Sequence, residues 1–218
     1  MLASFVGVRA DVLVDFGRTD NQTTGQPAGY NNLAIGTATG AAVNCTTAWL
    51  PTHIASNGGG YSNTNVTLTD TAGGASGWTM SFQARTQQAS AAGQVGTAGT
   101  GGDYTGTVGA VATGLFAATA TRDGLYINNS GMLRVVLGGL TPAKRYDLSA
   151  FAGRDGSGTA DGGRWSLAQG SATTAHVFLN GSATATANTG QIIDSYGANE
   201  GDMIQWLGVA PDAGGQIV

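Results

Sequence analysis

The chain has 218 residues, enough for one domain with a full hydrophobic core that needs no disulfide or metal to hold it. Charged residues make up only 10%, against about 25% in an ordinary soluble domain, while glycine contributes 37 residues and Ala, Thr, Ser and Asn fill much of the rest. A hydrophobic share of 41% excludes a disordered composition, a net charge of −4 without a basic stripe excludes a nucleic-acid surface, and the lack of a run of about 20 apolar residues excludes a membrane-spanning helix.

The elements follow in chain order. Residues 12–16, Val-Leu-Val-Asp-Phe, predict a strand with turn signals after it. Residues 65–70 alternate apolar and polar, the period of a half-buried strand. Residues 78–84 alternate again, which puts Trp78, Met80 and Phe82 on one core face. Further strands are expected over 133–137, 146–152, 165–168, 176–179, 183–187 and 203–209. Glycine-rich clusters punctuate them at 57–60, 72–74, 99–102, 138–139 and 161–163. Residues 17–60 and 87–106 are poorly patterned and read as two long loops, of the kind that carries function. Gly109 and Gly114 interrupt the one stretch with helical character, 108–120, so a loop or a single turn is expected there. Many short strands with glycine-rich turns predict an all-β sandwich or barrel with little helix, formed as one domain over 1–218.

The chemistry-bearing residues are sparse. One cysteine, Cys45, rules out an intrachain disulfide. The first nine residues lack the basic and apolar regions of a signal peptide. No Gly-x-Ser-x-Gly elbow is present, and His53 and His176 are too few and too scattered for a zinc site or a hydrolase triad. The acids Asp123, Asp155, Asp161 and Glu200 stand in turn-like contexts, where such side chains cap their own backbone. The stretch 99–103 lacks phosphate-loop spacing, and the five glycosylation sequons, at Asn21, Asn44, Asn65, Asn128 and Asn180, are expected by chance. No catalytic set results. The loop aromatics Tyr30, Trp49, Tyr61 and Tyr104 are the candidate stacking platforms for a glycan, or else interface and loop-packing residues. Arg154 and Arg164 flank a loop as candidate hydroxyl partners, or pair internally with Asp155 and Asp161.

Several segments together resemble a known domain type. They are Val12-Leu13-Val14-Asp15-Phe16-Gly17, Thr23-Thr24-Gly25, Tyr30-Asn31-Asn32-Leu33, Arg122-Asp123-Gly124-Leu125-Tyr126, Gly139-Leu140-Thr141-Pro142, Phe151-Ala152-Gly153-Arg154 and Val209-Ala210-Pro211-Asp212. In this order they resemble the galactose-binding-like, carbohydrate-binding-module-like domains of bacterial extracellular and phage structural proteins. The resemblance implies a jelly-roll β-sandwich. It also implies a structural calcium held by oxygen ligands such as Asp15, Asp20, Asp70 and Asp123, and a further strand beyond Gln216-Ile217-Val218, expected to belong to a longer protein or else to leave an open edge that a partner chain completes. The expected function is a non-catalytic surface module of an assembly, packing against other subunits or copies of itself, on a virion as a capsid decoration, head fibre or tail-associated protein. The alternatives are a carbohydrate-binding module of a secreted protein and an accessory domain of a hydrolase.

Overall fold

A computed structural model describes residues 11–16, 29–37, 41–56, 60–87, 93–98, 124–128, 131–151, 162–168, 174–179, 182–186, 191–194 and 203–218. The described part is all-β: sixteen strands in several sheets, with no helix among the described residues.

Two sheets enclose the first core. In one, β1 (Leu13–Asp15) pairs parallel with β2 (Tyr30–Gly36), and β2 pairs antiparallel with β5 (His53–Ser56). In the other, the twelve-residue β7 (Ala75–Thr86) is central. Its one edge pairs with β10 (Gly131–Gly138). Its other edge is taken end to end by β6 (Val66–Thr69) and the two-residue β4 (Leu50–Pro51). The alternation of β7 decides its two faces: Met80, Phe82, Ala84 and Thr86 are buried, while Thr79, Ser81, Gln83 and Arg85 point outward. Leu33, Ile35, Ile54 and Leu68 meet Met80 and Phe82 in the core, with Leu133, Val135 and Leu137 packed against them. Phe16 meets Phe82 edge-on at 5.8 Å.

Asn31 locks this core from inside. It is 1% exposed. Its amide nitrogen donates to the carbonyls of Leu13 and Thr69, at 3.0 and 2.9 Å. Its oxygen accepts from the Thr69 amide and hydroxyl, at 2.8 and 3.1 Å. One side chain on β2 thus ties β1 to β6.

A third sheet, β11 (Tyr146–Phe151), β16 (Met203–Val209), β13 (Thr174–Leu179) and β14 (Ser182–Thr186) in that order, covers a second core of Leu140, Trp206, Val209 and Ile217. Trp78 and Leu137 pack on both cores. Two small sheets complete the described chain. One joins β3 (Val43–Asn44), β8 (Gln94–Ala98) and β9 (Gly124–Asn128); the other pairs β12 (Gly162–Trp165) with β15 (Gln191–Asp194).

After β16 the chain turns and returns to β10. Asp212 organises the turn: its carboxylate accepts the Gln216 amide at 2.8 Å and its backbone oxygen accepts the Gly215 amide at 3.0 Å. Gly215 takes φ 73°, a conformation that costs a side-chain-bearing residue about 1 kcal/mol or more. Ile217 then exchanges two backbone hydrogen bonds with Leu137, at 2.9 and 3.0 Å. So residue 217 occupies the β10 edge at Leu137.

The structure corrects several expectations. The stretch 17–60 is no single loop: it contains β2, β3, β4 and β5. The stretch 87–106 contains β8. Gly162 and Gly163 belong to β12, not to a turn, and the strand expected at 165–168 runs instead over Gly162–Trp165. Residues 108–120 lie outside the described part.

Candidate functional site

The outer face of the β10–β7 pair carries a polar groove. Register places Arg134 opposite Gln83, Val136 opposite Ser81 and Gly138 opposite Thr79. These six residues form its floor; Asn65, just before β6, borders it on one side, and Gln216 and Val218 border it on the other. It therefore crosses the strands from one sheet edge to the returning chain. Its volume is about 410 Å³, within the roughly 300–1,000 Å³ of small-molecule sites, and its lining is predominantly polar. No Asp or Glu lines it.

Trp49 stands beside this groove. Leu50 pairs with Ala84, which sets Trp49 alongside Arg85 on the same face. The guanidinium of Arg134 lies over the indole at 4.1 Å from the ring centroid, and that of Arg85 at 4.7 Å. Each such cation–π contact contributes about 0.5–1 kcal/mol at a partly exposed site. Arg85 Nε also donates to the sulfur of Met132 at 3.4 Å. Both arginines are half-buried. Among the described residues no carboxylate pairs with either.

The remaining candidates are dispersed. Tyr30 is the first residue of β2, not a loop residue, and is half-buried. Tyr61 is half-buried next to Ser62, whose backbone bridges to Ile54. Neither lines the groove. Arg164 lies on β12, where the backbone alone is described. Tyr104, Arg154, Asp20 and Asp123 lie outside the described residues. Of the two described acids proposed for calcium, Asp15 is buried on β1. Asp70 is engaged in its own turn: one carboxylate oxygen accepts the amides of Ala72 and Gly74, at 3.0 and 2.8 Å. Among the described residues no three His, Cys, Asp or Glu side chains gather. Burial pushes the Cys45 thiol up from its ordinary pKa.

The Asp70 turn makes a direct prediction. D70A removes the acceptor of two amides and is expected to cost about 1–2 kcal/mol, with D70N, which keeps an acceptor oxygen, costing less than half of that. Chemical denaturation measures both; equal losses would show that the acceptor is not what holds the turn.

Reading the sequence for loop aromatics found Trp49 but missed Arg85, Arg134, Gln83 and Ser81. The signal available was the alternation of β7, which assigns Ser81, Gln83 and Arg85 to one face. Nothing local in the sequence pairs that face with Arg134.

Comparison of the chain with protein-family models, with curated proteins and with solved structures found no match.

Proposed function

We propose that the chain is a non-catalytic binding module, a jelly-roll sandwich of the galactose-binding type, that presents the outer face of β7 and β10 to a glycan. The observation that carries this reading is the groove. It offers hydroxyl and amide side chains from Thr79, Ser81 and Gln83 on the sheet and from Asn65 and Gln216 at its borders, the donor and acceptor set that sugar hydroxyls need. A composition of small, weakly charged residues fits a protein that works outside cells or on a particle surface.

The test is affinity electrophoresis of the purified chain through gels containing single polysaccharides. At least one polymer is expected to retard it, and S81W, which fills the groove from a half-buried outward position, is expected to abolish the retardation without changing the melting temperature. Retardation that S81W leaves intact would rule out this face.

A second reading keeps the chain as a structural subunit of an assembly such as a virion. On this reading Leu50, 49% exposed on the short edge strand β4, is the apolar contact to another subunit. Sedimentation of the chain as a defined oligomer that L50D dissociates is the result this reading expects.

A further inference from the structure

The charge around the groove narrows its ligand. Arg134 is the one charged side chain in the lining, and Arg85 adds a second cation over the same indole. Two guanidiniums held against one ring repel each other, and no carboxylate among the described residues neutralises them. In a protein of net charge −4, with 13 acids against 9 bases, such a pair with no acid beside it among the described residues runs against the overall balance. The indole is also engaged by the arginines, so its role differs from a bare stacking platform for a neutral sugar: it holds two guanidiniums in place.

We infer that the groove takes an acidic glycan, a polyuronate whose carboxylate is received by Arg134 with Arg85 behind it. This rests on the glycan-binding reading above. A guanidinium offers a planar fork of donors that matches a carboxylate in two parallel hydrogen bonds. The neutral side chains of Gln83, Ser81, Thr79 and Asn65 then meet the ring hydroxyls along the groove. Trp49 is a positioning residue: it restricts the guanidiniums and so lowers the ordering cost of binding.

The experiment compares alginate and polygalacturonate with their carboxyl-reduced forms, which keep the chain of hydroxyls and lose the charge. A carboxylated polymer is expected to retard the intact protein at least about tenfold more strongly than its reduced form, and about 0.5 M NaCl is expected to weaken that preference. R134Q is expected to lose the preference, R134K to keep part of it, and W49L to lower affinity for the acidic polymer more than for the reduced one. Equal retardation by acidic and reduced polymers overturns the acidic ligand and leaves glycan binding standing. Retardation by neither form overturns the acidic ligand; retention instead on a neutral polymer, abolished by S81W, then preserves the groove itself. If R134Q does not fold, the matched-polymer comparison on the unaltered chain decides alone.

Discussion

Replacing Asn31 by alanine is expected to destabilise the protein by about 3–5 kcal/mol, a large fraction of what a domain has. The reason is not the volume lost. Four hydrogen bonds converge on this one amide, two donated and two accepted. Their removal takes the side-chain partner from the carbonyls of Leu13 and Thr69 and from the Thr69 amide, at a part-buried junction of three strands. Each stranded group costs about 1–3 kcal/mol. N31D should be comparably harmful, because it turns a donor toward two carbonyl oxygens into a second acceptor. Urea denaturation followed by tryptophan fluorescence measures both variants. A loss below about 1 kcal/mol for N31A would mean that water replaces the amide and that the site is not sealed.

The second large effect is expected at Phe82. It is 1% exposed and stands where both sheets of the first core meet, with Phe16 edge-on against it. F82A removes the transfer energy of a phenyl ring and leaves a cavity between two sheets that strand pairing prevents from collapsing, a cost of about 3–5 kcal/mol. F82L is expected to cost well under half as much, since most of the space remains filled. Thermal unfolding of the two variants side by side checks the ratio. Equal losses would indicate that the edge-on ring contact, and not the filled volume, is what counts.

How much of this could be read in advance depended on where each strand lies. The strand β7 was legible because one face is core and the other is open, so apolar and polar residues alternate and register with the pleat. The strand β2 was not. It is buried on both faces after its first residue, and its first buried positions are Asn31 and Asn32, so it shows no alternation and an apolar run of only three residues, Leu33-Ala34-Ile35. The buried amide of Asn31 looks like a turn residue until the carbonyls it serves are known. The two-residue strands β3 and β4 are too short to have any period. For the site, an aromatic at position 49 was visible, but its partners come from strands far along the chain. Which residues face one another is decided by long-range register, and a window of sequence holds no record of register. The polar residues Thr79, Ser81 and Gln83 carry no local sign of what borders them, for the same reason.

The pairing of Ile217 with Leu137 has a consequence for the order of events in folding. Trp78 and Leu137 serve both cores, and the partner of Leu137 emerges from the ribosome long after it. Until then the edge of β10 at Leu137 is without its partner and the second core lacks Ile217. Vectorial synthesis can assemble the first core from residues 12–137, whereas the second core waits for residue 217. The second core, which joins Leu140 to Ile217, is therefore expected to close after the first, through a pairing of high sequence separation of the kind that forms slowly.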